Sequence, residues 1–391
     1  MSSKAITLRK DKINKKKRIR IVHIINGLKI GGAETILNKI VRSLDEFEHI
    51  IISLKCLGYY GDFLKDDGYE VYSLNLRNNP IILSKLFNLF LLLKRLKPDI
   101  VNTWLYHADL IGGVIAKVAG VKKIIWTIRH DYKASEIVFY KRIIIRMLGL
   151  LTNVIPYKII SNSKTAAQNH IEQGYKKSLI SIINNGVCIK KFRPDKIIGS
   201  KYRLRLGISE KEFVIGMIAR YHPIKDHDNL LRSLAIINSV GKNFKCILVG
   251  RGINESNKAL TNKIQGLNLT NHIILLEESN SVNKIMNVLD IHVLSSRSEC
   301  FPNVIIEAMS CGIPCISTKV GEVNNIIRNS GWIVEPINSN KLSEAIIESM
   351  ESNRLHENGL LSRKIIESKY TVEIMISKYK AFYKAISGQD F

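Results

Sequence analysis

Two glutamates separated by seven residues, Glu299 and Glu307, sit in the run SECFPNVIIEAMSCGIPCIST (298–318). The chemistry this spacing allows is two carboxylates gripping one polar molecule beside an anion. DIHVLSS (290–296) reads as a buried strand, FPNVIIEAMSCG as a turn and an amphipathic helix ended by Gly312, and IPCIST as the next strand of a parallel sheet. Glu299 then falls in the loop at the strand's C-terminal end, with Glu307 one to two turns into the helix. In open α/β sheets that edge binds ligands. The helix start around Asn303 and Val304 offers unpaired N–H groups to an anion. The plain alternative is a surface carboxylate plus a glutamate favoured by the helix dipole.

Further groups fall at comparable places. Gly31 and Gly32 in KIGGAE follow the first strand and precede its helix, where glycines let backbone N–H groups approach a phosphate; a simple strand-helix turn explains them equally well. Arg220 and Lys225 in MIARYHPIKDHDNLL form a guanidinium fork and a point charge, a pair suited to clamping a diphosphate and neutralising charge on a leaving group. Solvated loop cations are the alternative. Asp226 and Asp228 make an Asp-x-Asp, but they directly precede a helix, so one aspartate suits an N-cap better than a metal. Gly250 and Gly252 could admit a ribose or base to the backbone, or simply turn the chain. Trp104 and His107 in NTWLYHADLIGG, with Arg129 and His130 in WTIRHD, also end strands, and their loops should face the cleft opposite Glu299.

The elements that must position these groups alternate short β-rich runs with longer helical ones, which predicts doubly wound parallel sheets. RIRIVHIING, HIIISLKCL, EVYSLNL, DIVNTWL, KKIIWTIRH, KIISNS and SIINNGV make one set. FVIGMIAR, FKCILVG, HIILL, DIHVLSS, PCIST and GWIVEP make a second. KKFRPDKIIGSKYRLRLGISEKE between them is the expected linker. The resulting division is a basic arm over 1–19, a first Rossmann-like domain over 20–192, a second over 193–365, and a C-terminal helix over 366–391 folding back on the first. A length of 391 residues suits two such domains.

Lys and Arg outnumber Asp and Glu by 59 to 34, a formal charge of +25. The charge is uneven: residues 1–190 carry 32 basic and 14 acidic residues, net +18, and the remainder net +7. Such a field favours a polyanionic partner: a nucleotide, a nucleic acid or an anionic membrane. Nucleic acid would require aromatic stacking platforms or a reading module, and neither is visible. The basic arm 9–20 and IVFYKRIIIRMLGLLTNVIPYK (137–158) have a separate reading: the latter mixes apolar groups with cations only, as in a helix lying on anionic lipid; a core helix with solvated cations is the other reading. Lys141, Arg142 and Arg146 interrupt that run, which falls short of the about 20 apolar residues that span a bilayer. The N-terminus lacks the apolar stretch of a secretory signal. Six cysteines in no metal-ligand spacing suit a reducing cytosol. The expectation is a cytoplasmic protein, soluble or at the inner face of the membrane.

Taken together the motifs resemble the retaining glycosyltransferases of family four. The matching pieces are IGGAE, TWLYHADLIGG, TIRH, SNS, NNGV with KKFRP, GMIARYHPIKDHDNLLRS, LVGRG, the 298–318 run, VGEVNNII and GWIVEP, nearly the whole chain. The resemblance implies the GT-B fold: two Rossmann-like doubly wound parallel-sheet domains facing a central cleft. It implies transfer of a sugar from a nucleotide diphosphate donor, UDP-linked, to a glycan or lipid-linked glycan, with neither cofactor nor metal. It places Glu299 beside the transferred sugar and Glu307 on the ribose. Arg220, Lys225 and the Gly32 backbone fall on the diphosphate, and Gly31, Gly250, Gly252, Ser298, Phe301, Pro302, Asn303 and Val304 around the donor. A UDP-sugar epimerase of the same fold is the alternative enzyme. Two departures stand out: Glu277 and Glu278 replace a glycine common in relatives, and Trp104 falls where histidine is frequent.

Overall fold

Among the described residues, thirteen short apolar runs become thirteen parallel strands because each can be covered on both faces by the helices that connect them. The structure, a computed structural model, describes residues 18–76, 82–131, 139–279 and 281–388. In the first sheet these are β1 (Arg20–Ile25), β2 (Glu48–Ser53), β3 (Glu70–Ser73), β4 (Ile100–Trp104), β5 (Ile124–Ile128), β6 (Lys158–Ser161) and β7 (Ile180–Ile182). The second has β8 (Phe213–Ile218), β9 (Phe244–Val249), β10 (Ile273–Leu276), β11 (Ile291–Leu294), β12 (Cys315–Thr318) and β13 (Trp332–Val334). Every residue of β4, β5, β11 and β12 is buried, whereas β3, β7, β10 and β13 are partly open. The burial tracks position, because those open strands are the four sheet edges.

Between the strands run α1 (Gly32–Ser43), α2 (Gly58–Asp66), α3 (Ile82–Leu96), α4 (Tyr106–Val118), α5 (Phe139–Leu151) and α6 (Lys164–Ile171). There follow α7 (Lys196–Arg205), α8 (His227–Ser239), α9 (Lys258–Gly266), α10 (Val282–Met286), α11 (Asn303–Ser310), α12 (Val323–Ile327), α13 (Ser339–Glu351), α14 (Leu355–Lys369) and α15 (Val372–Ser387). The sheet orders are β3-β2-β1-β4-β5-β6-β7 and β10-β9-β8-β11-β12-β13. Both reverse direction beside their first strand, between β1 and β4 and between β8 and β11. At such a switch point neighbouring loops diverge and leave a crevice at the strands' C-terminal ends.

The stretch expected to be a linker contains α7. Asp195 caps that helix by accepting from the Ile198 N–H at 3.0 Å, and Arg203 anchors it through Asp290 at 2.8 Å. The chain then returns to the first half. Val187 and Thr371 form a parallel bridge, and the Val187 N–H donates to the Tyr370 carbonyl at 2.9 Å. From there α15 lays Met375, Tyr379, Tyr383 and Ile386 into the core of the first half. Tyr383 donates to Asn102 Oδ1 at 2.8 Å, and Lys123 donates to the Ser387 carbonyl at 2.9 Å. Residues 1–17 of the basic arm, and 137 and 138 of the cationic apolar segment, lie outside the described residues.

Candidate functional site

The two switch points face one another across a cavity of about 620 Å3. From the first half it is lined by Gly31, Gly32 and Glu34 after β1, Leu105 after β4, Arg129, His130 and Asp131 after β5, Asn162 after β6 and Asn185 after β7. From the second come Arg220 and Lys225 after β8, then Ser298, Glu299 and Cys300 after β11 and Phe301, Pro302, Asn303 and Val304 at the start of α11. Residues distant in sequence meet because all follow strands that end at the same two edges.

Two helix starts converge here. The N-cap residue of neither α1 nor α11 caps its helix with a side chain; at α1 the Glu34 carboxyl folds back onto its own N–H beside Gly31, and the other first-turn N–H groups have no such cap. They are close: a Cβ placed on Gly32 would lie 3.9 Å from Asn303 Nδ2. Asn185 joins the halves by donating to Asn303 Oδ1 at 2.8 Å. Two helix N-termini with cations lining the same cavity have the chemistry to hold an anion.

Lys225 ends a short 3-10 turn, Pro223–Lys225, started by Pro223 behind His222. The Ser295 hydroxyl fixes that turn by donating to the Lys225 carbonyl at 3.1 Å. The ammonium reaches Glu299 Oε1 at 2.5 Å, and the same oxygen accepts from Ser296 Oγ at 2.8 Å. Arg220 is exposed and lines the cavity beside this pair.

The aspartates behind Lys225 differ from the capping role expected of them. Asp226 adopts φ +49° at the start of α8 without capping it, and its carboxylate pairs with Arg297 at 3.0 Å. Asp228 pairs with Lys263 at 2.5 Å. Each carboxylate is engaged by a cation.

Several expected participants sit elsewhere. Trp104 is fully buried, its indole N–H donating to His23 Nδ1 at 3.3 Å, so it shows no face to an acceptor. Arg129 lines the cavity but is held from below: its guanidinium lies 4.9 Å over the Trp104 ring, donates to Tyr379 at 2.6 Å, and donates to Asn185. It thereby braces α15 and the Asn185-Asn303 link. His130 lines the cavity and is exposed, whereas His107 is exposed outside the lining. Gly250 and Gly252 are also outside. A Cβ on Gly250, at φ +147°, would fall 2.3 Å from the Ala219 carbonyl oxygen, so the glycine serves the close approach of two strand ends.

Glu307 likewise stands outside the lining, half-buried with Lys39 of α1 and Lys191 nearby. Burial pushes its carboxyl up to about 7, with Lys39 and Lys191 drawing it back. Burial also lowers the Lys39 ammonium, which Glu307 opposes. A carboxyl whose folded pKa exceeds its ordinary 4.5 holds its proton more tightly in the native state, so stability falls as pH rises from about 4.5 to about 7. Glu307→Gln should remove of order 1–3 kcal/mol of that decline. Urea unfolding of both proteins at pH 5 and pH 8 measures it; equal slopes with pH would contradict the assignment.

Lys39, Asn162, Asn185 and Glu322 were not singled out in the sequence as functional. SNS and NNGV were visible as motifs, but the bonds of Asn162 to Cys300 and of Asn185 to Asn303 form only where the halves meet.

The family model for glycosyltransferase family 4 matches residues 30–191, and that for glycosyl transferases group 1 matches residues 200–366. An Escherichia coli UDP-Gal:alpha-D-GlcNAc-diphosphoundecaprenol alpha-1,3-galactosyltransferase is 26% identical over 381 residues, 94% of this chain and 97% of that one. The Staphylococcus aureus capsular polysaccharide biosynthesis glycosyltransferase CapM is 26% identical over 320 residues, 78% and 83% of the two chains. Among solved structures, Anabaena Alr3699/HepE in complex with UDP superposes with a TM-score of 0.82 at 22% identity, covering 94% of this chain and 100% of that one. That likeness is one of fold: GT-B, as the two facing sheets show.

Proposed function

This chain belongs to the glycosyltransferases of family 4 with a group 1 second half, and we propose that it moves a sugar, with retention, from a UDP-linked donor to a polyprenyl-linked glycan in cell-surface polysaccharide synthesis. The observation that carries the reading is the meeting of two uncapped helix starts with Arg220 and the Lys225–Glu299 pair around one cavity. The acceptor class follows the named activity of the galactosyltransferase relative, and the donor follows that relative and the UDP-bound Anabaena neighbour.

In this reading the pyrophosphate lies between the helix starts. As the bond from the anomeric carbon to the phosphate oxygen breaks, charge grows on that oxygen and meets Lys225, Arg220 and backbone N–H groups. Glu299 faces the sugar, whose ring becomes oxocarbenium-like. The acceptor hydroxyl attacks from the side of the departing phosphate and gives that oxygen its proton, leaving a glycosidic bond and UDP. Cations take the role a metal has elsewhere, consistent with Asp226 and Asp228 being paired, and turnover should persist in EDTA.

Incubation with UDP- and GDP-sugars and isoprenoid-linked acceptors, followed by mass spectrometry, tests the function. Transfer is expected, with retention read from anomeric coupling in the product. Silence with every donor and acceptor would overturn it, and donor conversion without any acceptor would point to an epimerase.

A lipid-linked acceptor requires a surface that can reach it. Among the described residues no helix is long and apolar enough to cross a membrane. However, α4 packs between α3 and α5, and the three expose Leu83 at 78%, Phe87 at 58%, Val118 at 69% and Leu150 at 74%. The sequences of α3 and α5 contain cations and no acidic residue. Apolar groups rimmed by cations fit an anionic bilayer, each cation adding about 1 kcal/mol near the surface. A Phe87→Glu, Leu150→Glu protein should bind phosphatidylglycerol vesicles at least about tenfold more weakly than the native chain in sedimentation, with turnover of a soluble short-chain acceptor retained. Unchanged sedimentation would remove the membrane contact from the proposal.

A further inference from the structure

Glu322 takes no part in lining the cavity, yet it is 2% exposed and aims its carboxylate across the boundary between the halves. It stands in the turn between β12 and α12. Its Oε2 accepts from Ser163 Oγ at 2.8 Å, from the Lys164 N–H at 2.7 Å and from the Thr165 N–H at 3.4 Å. Those amides open α6, so a carboxylate of the second half occupies the positive end of a helix in the first. Asn325 steadies the other oxygen, donating to Oε1 at 2.9 Å. Beside it Thr165 Oγ1 donates to the Gly321 carbonyl at 2.9 Å.

The rear of the same turn is pressed against the loop carrying Glu299. The Glu322 N–H donates to the Cys300 carbonyl at 3.2 Å. Gly321, at φ +50°, packs so closely that a Cβ would fall 2.3 Å from the Glu299 carbonyl oxygen and 2.6 Å from that of Cys300. Cys300 in turn donates from Sγ to Asn162 Oδ1 at 2.9 Å. One side of this turn therefore grips the first half at 163–165, and the other backs the residues 299–300. Charge-assisted bonds to backbone amides are among the stronger contacts available to two docking domains.

We propose that Glu322 is a positioning residue: its bond to the start of α6 holds the halves closed and fixes how far Glu299 projects into the cavity. Glu322 touches neither donor nor acceptor, so its contribution falls on the assembled state rather than on donor capture. This rests on the transferase reading, and the geometry assigns closure to a contact made by the protein itself.

The test compares Glu322→Ala, Glu322→Gln and Ser163→Ala with the native chain. Glu322→Ala should lower kcat about 10- to 100-fold with the donor KM within about twofold, and should raise donor hydrolysed per acceptor glycosylated, because an open cleft admits water. Glu322→Gln, whose amide oxygen can still accept from Lys164, should fall between. Ser163→Ala, on the opposite half, should reproduce the phenotype more mildly, and with Glu322→Ala should be less than additive. Should Glu322→Ala not fold, Glu322→Gln and Ser163→Ala carry the test. Small-angle scattering without any substrate should show a larger radius of gyration for the variants. Unchanged kcat and radius, or strictly additive losses, would overturn the assignment. A native chain that transfers no sugar while the variants still expand would instead separate failure of the transferase reading from failure of the latch.

Discussion

Glu299→Gln should lower kcat by about 10²- to 10³-fold, of order 3–4 kcal/mol of transition-state stabilisation, while UDP binding changes by less than about threefold. The carboxylate lines the cavity, and its Oε1 is fixed by Lys225 at 2.5 Å and Ser296 at 2.8 Å. Such a group is held before the donor arrives. Its charge then opposes the positive charge that grows on the sugar ring only as the bond to phosphate breaks, and an interaction confined to that moment appears in kcat. Glutamine keeps the shape and removes the charge. Alanine should cost more, but it also leaves the partly buried Lys225 without its counter-ion, so the amide is the cleaner probe. Steady-state kinetics with the best donor, and calorimetric titration with UDP, give the two numbers. A mild fall in kcat joined to an equal loss of UDP affinity would remove Glu299 from the sugar's side of the cavity.

That Glu299, Lys225, Arg220, Gly32 and Asn303 could be found in the sequence has a physical reason. Each follows a short apolar run, and parallel strands deliver whatever follows them to one sheet edge. The strands were legible for the same reason, since runs such as FVIGMI are too continuously apolar for a half-exposed surface. What stayed hidden depends on how the halves face each other. Glu322 finds Ser163 across 159 positions and Asn185 finds Asn303 across 118, separations no local window contains. Glu307 shares a helix with Asn303, but its environment is set by Lys39 on the opposite half. Trp104 ends a strand as the cleft residues do, but its ring turns beneath the sheet edge onto His23 and Arg129, where it supports the site from below. Sequence position identifies an edge; packing decides which side chains there point at the ligand.

Lys225→Ala should damage both parameters, in contrast to Glu299→Gln: donor affinity down about 10- to 100-fold and kcat/KM down by about 10³-fold or more. In this reading Lys225 bonds to the pyrophosphate before and during departure, so about 1.5–3 kcal/mol is lost already in the ground state. More is lost as charge grows on the leaving oxygen. Removing the ammonium also frees Glu299 Oε1 from its shortest contact, so the two changes share one interaction and Lys225→Ala with Glu299→Gln should fall short of the product of the single losses. Lys225→Arg should restore little. The backbone at 225 is pinned by Ser295 and the 3-10 turn, so a longer planar head cannot retreat to meet both Glu299 and a phosphate. The measurements are UDP titration calorimetry and kcat/KM for the four proteins. Normal UDP binding by Lys225→Ala, with the whole loss in kcat and none beyond that of Glu299→Gln, would mean that Lys225 serves only to hold Glu299 and that Arg220 and the two helix starts bind the diphosphate without it.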